Sequence, residues 1–108
     1  MSLRRFFDAA SGRSSVRNAL PDDALVTFDV SGAEGGVYTL RRQGLRVEIL
    51  DGEFPGGVDA RMRCPIEVFE RLCAGSLNGP EAFRRGRIAV EGDVGLMMRL
   101  QTALVASG

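Results

Sequence analysis

Hydrophobic positions recur along this chain with two different periods, and the switches between them mark out its elements. Residues 2–11 place Leu3, Phe6, Phe7 and Ala10 on one side of a short helix. Gly12 fits its end, and residues 16–20 offer a further helical turn before Pro21 stops it. From Leu25 the period falls to two. Val26, Phe28 and Val30 alternate with Thr27 and Asp29, and after a glycine-rich turn at 32–36 the chain returns as a second strand over 37–42. Leu45, Val47 and Ile49 alternate with Arg46 and Glu48 in a third strand. Val58, Ala60, Met62 and Cys64 alternate with Asp59, Arg61 and Arg63 in a fourth, and residues 51–57 between them read as a connector.

One apolar and one polar face per strand predicts an antiparallel or mixed sheet, covered on one side and wet on the other. Pro65 then opens a helix, where its missing N–H does no harm. Ile66, Phe69, Leu72 and Cys73 form its buried stripe, Glu67, Glu70 and Arg71 face outward, and Gly75 is placed to end it. Pro80 starts a short helix running to Gly86, with Ala82 and Phe83 plugging one end of the core. Ile88 and Val90 alternate with Arg87, Ala89 and Glu91 in a fifth strand. Asp93 is placed to cap the last helix. That helix carries Val94, Leu96, Met97, Met98, Leu100, Ala103, Leu104 and Val105 against a single charge, Arg99. Leu96, Leu100 and Leu104 make an i, i+4, i+8 line, and a helix so apolar needs cover over nearly all of its circumference.

Composition narrows the chemistry. A chain of 108 residues predicts one domain. Its 14 basic residues, all arginine, balance 14 acidic ones, which argues against a nucleic-acid partner. Without His or Lys there is no Ser-His-Asp triad, no Cys-His pair and no Schiff-base lysine, and a zinc ion would find only Cys64 and Cys73. No enzyme activity and no cofactor are expected. The two cysteines read as buried thiols in a reducing compartment. Asp22 with Asp23, and Asp51 with Glu53, read as solvated loop charge.

No run approaches the ~18 apolar residues of a membrane span, and no secretory signal opens the chain, so a cytoplasmic location is expected. Arg4, Arg5, Arg13 and Arg17 less Asp8 leave +3 over residues 1–20, beside Phe6 and Phe7. That combination suits transient contact with an anionic membrane surface, although the same helix could equally cover an open side of the core.

The spacing Leu72, Gly75, Leu77, Ala82, Phe83, Gly86, Ile88, Val90, Gly92, Asp93, Leu96, Leu100 resembles the sterol carrier protein type 2 family. The likeness runs over residues 25–105 and is strongest from Leu72 onward. It implies an α+β fold: a five-stranded, mainly antiparallel sheet, helices on one face, and an apolar C-terminal helix over a lipid tunnel. The whole of 1–108 is then one sterol-carrier-like domain, with 1–24 a short N-terminal helical segment and 25–106 the core of the resemblance. The lining residues it implies are Phe69, Leu72, Phe83, Ile88, Val90, Leu96, Met97, Leu100 and Leu104. Arg63, Arg84, Arg85 and Arg99 are candidates for an acidic headgroup at the mouth.

The implied function is non-catalytic carriage of an apolar lipid: sterol, fatty acyl, phospholipid or isoprenoid. The alternative is an accessory domain assisting a lipid or quinone biosynthetic enzyme, or a homodimer formed through the apolar helix. The chain also departs from the family pattern. Gly79 intervenes between Asn78 and Pro80, Gly12 and Pro21 break the leading helix, Arg41 and Arg42 stand near a place where acidic residues are usual, and Ala106-Ser107-Gly108 carries no peroxisomal address.

Overall fold

The computed structural model describes residues 2–105, so Ala106, Ser107 and Gly108, and the expectation attached to them, lie outside the described residues. Three antiparallel pairings and one parallel join make the sheet. β1 (Leu25–Ser31) pairs antiparallel with β2 (Gly36–Gln43), and β2 with β3 (Arg46–Asp51). β4 (Ala60–Pro65) lies parallel to β1 and antiparallel to β5 (Ala89–Gly92), giving the order β3-β2-β1-β4-β5. The helices are α1 (Leu3–Ser11), α2 (Ser14–Ala19), α3 (Ile66–Cys73), α4 (Gly79–Arg84) and α5 (Val94–Leu104).

The period-two pattern sets the faces. Phe28 sits opposite Tyr38 on one side and Met62 on the other, and Met62 opposite Val90, all on the helix-covered face. On the other face Arg46, Asp59 and Arg63 are exposed, and Glu48 and Arg61 are half-buried. Leu45 breaks the expected alternation. Gln43 pairs with Arg46, so Gly44 and Leu45 form a two-residue turn, with Gly44 at φ +60° where such a hairpin needs it. Leu45 therefore projects from the turn, 80% exposed, and does not join Val47 and Ile49.

The helix-free face is not uniformly wet either. Because β4 joins β1 in parallel, the chain must travel from edge strand β3 across β2 and β1, and it does so over this face. The hydroxyl of Thr39 donates to the Gly52 carbonyl at 2.8 Å, and Thr27 lies 2.8 Å from the Thr39 hydroxyl. Glu53 meets Arg61 at 3.2 Å, and the Phe54 ring lies 5.9 Å from the Arg41 guanidinium. Thr27, read as an outward position, and Thr39 beside it are fully buried under this strap, and their hydroxyls satisfy each other and the strap. Fourth-strand pairing starts at Ala60, because Asp59 is occupied as a junction. Its carboxylate accepts from the Leu25 N–H at 2.8 Å and its carbonyl from the Asp93 N–H at 2.9 Å.

Arginines tie the helices down. Arg42 donates to the carbonyls of Leu20 at 2.6 Å and Arg17 at 3.0 Å, at the C-terminal end of α2. Arg13 reaches the Leu104 carbonyl at 3.3 Å, at the end of α5. Both place positive charge where a helix exposes unpaired carbonyls.

Candidate functional site

Asp93 caps α5 as its sequence position demands, accepting from the Leu96 N–H at 2.9 Å. The helix then lies against α2, α3, α4, β4 and β5. Leu96, Met97, Leu100, Gln101 and Leu104 are buried, and only Gly95, Arg99 and Thr102 are exposed along it. The apolar face expected to seek a partner is thus occupied within the domain.

Of the candidate lining residues, Phe69, Leu72, Ile88, Leu96, Met97, Leu100 and Leu104 are buried in one cluster, and Phe83 and Val90 pack half-buried against it. The structure brings them together as a packed layer between the sheet and α5. Periodicity missed the contribution of α2, whose Val16, with Leu20 just beyond, is wholly buried and belongs to the same cluster. It also missed Gln101, a polar residue only 5% exposed, one helical turn beyond Met97 on the inner stripe. No hydrogen bond of the Gln101 amide is formed among the described residues.

A groove of about 490 Å³ opens at this end of α5, lined by residues 75–80 together with Gln101, Thr102 and Val105. Gly79 explains how α4 comes so close. A Cβ at this position would run into the Gln101 amide oxygen and lie 3.6 Å from Met98 sulfur, so the glycine that departs from the family pattern admits the Gln101 side chain. A second groove, of about 300 Å³, lies on the other side of the connection over residues 76–78. Arg71, Arg85 and Arg87 line it, with Glu81, Asn78, Leu77 and Ala82.

The headgroup candidates divide. Arg85 lines this second groove, whereas Arg63 is held by Asp29 at 3.6 Å and Glu91 at 3.0 Å, and Arg99 stands on the exposed side of α5. Arg84 is exposed at the end of α4.

The expectation of membrane contact through Phe6 and Phe7 meets a different arrangement. Phe7 is fully buried, with ring centroids 5.3 Å from Phe28, 5.4 Å from Tyr38 and 5.7 Å from Phe69. Phe6 packs edge-on against Phe7 and Phe69. Arg4 meets Asp51 at 2.8 Å and Asp8 at 3.2 Å, which raises its pKa further and cancels its charge locally. α1 therefore closes the aromatic end of the core. No helix among the described residues is long and apolar enough to cross a membrane.

Both cysteines are free and buried. Loss of hydration pushes each thiol up to about 12, with Asp29 adding to the effect at Cys64 and Cys64 at Cys73, where Arg13 opposes it. These are inert thiols, without the lowered pKa of a nucleophile.

Known proteins share this arrangement. Rat hydroxysteroid dehydrogenase-like protein 2 is 26% identical over 92 residues, covering 80% of this chain and 18% of that protein. The chain thus spans about a fifth of the curated relatives it matches. Among solved structures, a double mutant of the sec-alkyl sulfatase PisA1, an enzyme from Pseudomonas sp., superposes with a TM-score of 0.81 at 17% identity, over 100% of this chain and 17% of that one. Sterol carrier protein 2 from Yarrowia lipolytica in its apo form gives 0.67 at 19% identity, over 94% of this chain and 77% of that one. These likenesses establish the fold: a five-stranded mixed sheet, helices on one face and a C-terminal helix across it. The model of the SCP-2 sterol transfer family matches residues 5–105, and the chain belongs to that family.

Proposed function

We propose that this domain binds and carries an apolar lipid chain between the inner sheet face and α5, with no bond-making chemistry. The observation that carries the reading is α5 itself: an inner stripe of Leu96, Met97, Leu100 and Leu104, with Gln101 on the same stripe lining a groove of about 490 Å³. An apolar layer that opens at one end on polar groups, here Ser76, Asn78, Gln101 and Thr102, is what a lipid chain with a polar end requires. Phe69, Leu72, Phe83, Ile88 and Val90 complete the lining. In the packed arrangement described above these side chains touch each other, so a chain enters by displacing α5 outward from its groove end. Leucine and methionine side chains suit that exchange, because they repack at small cost.

Membrane insertion of Phe6 and Phe7 has no part in this reading, since both rings belong to the core. The carrier would act in the cytoplasm. A second reading, an accessory lipid-binding unit of a larger enzyme, draws on the small share of the rat protein and of PisA1 that this chain matches.

Native mass spectrometry of gently purified protein, followed by solvent extraction of whatever is bound, tests the proposal. Added lipid mass that leaves with solvent is expected. Protein that stays free of added mass after incubation with a mixture of sterols, fatty acids, phospholipids and isoprenoids would refute it.

A further inference from the structure

Charge is balanced over the chain, but it is not balanced locally. Among the described residues, Arg4, Arg41, Arg61, Arg63 and Arg85 meet carboxylates. Arg13 and Arg42 donate to backbone carbonyls. Arg5, Arg17, Arg46, Arg71, Arg84, Arg87 and Arg99 show neither contact, and of these Arg71 and Arg87, both exposed, line the groove of about 300 Å³ with Arg85. Three guanidinium groups there face one carboxylate, Glu81, which Arg85 already engages at 2.9 Å. Arg87 also lines the adjoining depression, where Arg63 is already held by Asp29 and Glu91, so the unneutralised charge stays with the first groove.

Two apolar residues also line the groove: Ala82 is fully buried and Leu77 packs against the core. Ser76, Leu77 and Asn78 line this groove and also the one that ends at Gln101. A charged head placed among the arginines would therefore have its chain one short segment away from the end of α5. Like charges gathered around a small concavity repel one another, and a bound anion relieves that repulsion. The planar fork of arginine matches the paired oxygens of phosphate and carboxylate, which makes arginine rather than lysine the natural choice for such a head.

We infer that Arg71, Arg85 and Arg87 form an oxyanion site, which holds the phosphate or carboxylate head of an amphiphile whose chain lies beside α5. The chain half of this assignment rests on the lipid-carrying reading; the head half rests on the groove. Sequence spacing could not have found the trio, because Arg71 leaves α3, Arg85 ends α4 and Arg87 precedes β5.

The test compares hexadecyl phosphate, hexadecanol and inorganic phosphate on the wild-type chain, on Arg71→Gln/Arg87→Gln, and on the control Arg46→Gln. Arg46, Arg71 and Arg87 are exposed and make no ion pair among the described residues, so all variants should keep the fold. Hexadecyl phosphate is expected to bind wild type roughly tenfold or more tightly than hexadecanol, with most of that preference gone in the double variant and retained in Arg46→Gln. Inorganic phosphate should displace hexadecyl phosphate and leave hexadecanol in place.

Equal binding of the two long-chain probes, a preference that survives the double substitution, or one lost equally in Arg46→Gln would each overturn the site while leaving the carrier reading intact. Inorganic phosphate binding as tightly as hexadecyl phosphate would make it a site for free phosphate and overturn the headgroup assignment. If neither long-chain probe binds, the carrier reading itself fails, and the headgroup site with it.

Discussion

The interior beneath the helices has two ends of unlike character. At one end Phe7 is ringed by Phe6, Phe28, Tyr38 and Phe69, with centroids 5.3 to 5.7 Å from its own. At the other, Val16, Leu20, Met62, Leu96, Met97, Leu100 and Leu104 meet without an aromatic ring among them. Rings have few rotamers and prefer particular mutual tilts, so each one fixes the next. Unbranched and γ-branched chains can refill a volume in several ways. The contrast bears on the proposed ligand space, because both ends are largely buried and differ in how freely their side chains can repack. α1 clamps the rigid end, and α5 covers the adaptable one.

Breaking the rigid end should have the largest effect. Phe7→Ala is expected to destabilise the domain by ~3–5 kcal/mol in urea unfolding. Saturating lipid should reduce that difference little, since Phe7 is not itself part of the proposed lining, which its ring meets at Phe69. A loss that lipid repairs would put ligand space at the aromatic end instead.

Leu100→Ala comes next, at ~2–5 kcal/mol in the lipid-free protein. Lipid should offset part of it, because a bound chain fills the vacated volume. Ligand at a hundredfold excess over its Kd already adds about 2.7 kcal/mol to the folded state. Leu100→Arg should abolish uptake of a fluorescent fatty acyl probe by placing a charge in the apolar layer; retained uptake would move the site elsewhere.

An alkaline titration sharpens the comparison at a smaller scale. Cys64 and Cys73 have folded pKa values raised to about 12, from an ordinary value of 9.0. Below pH 9 both states keep the proton and stability is full. Above it the unfolded chain ionises first, so stability falls progressively from pH 9 toward 12. By pH 10 each thiol accounts for ~1.4 kcal/mol. The chain has no lysine to blur this window, and Cys64→Ala/Cys73→Ala should flatten the slope. An unchanged slope would show that the thiols are hydrated.

The smallest effect expected is in hydrogen exchange. Without lipid, amides of residues 96–104 should exchange sooner than those of β1, and lipid should slow only the former. Uniform protection in both states would erase the difference between the two ends.

Much of this was readable from the chain. Alternation in β1, β4 and β5 set the inner face, and Asp93 announced the start of α5, accepting from the backbone N–H three residues on. The alternation also misled, because Leu45 continues the apolar pattern of β3 while sitting in the turn before it. Gln101 was hidden for a related reason: it shares the stripe of Met97 and Leu104, and periodicity assigns the stripe without saying which member meets a groove.

By itself, then, the sequence determined which residues turn inward along each element, where the helices begin, and which family supplies the fold, because periodicity, capping and turn chemistry act between near neighbours. Only the tertiary structure decided that β1 and β4 lie parallel. That pairing sent residues 52–59 across the helix-free face and buried Thr27 and Thr39. It alone decided that Phe7 belongs to the core. It alone gathered Arg71, Arg85 and Arg87 from separate elements onto one groove. Those outcomes depend on contacts between segments far apart in the chain, which no local spacing records.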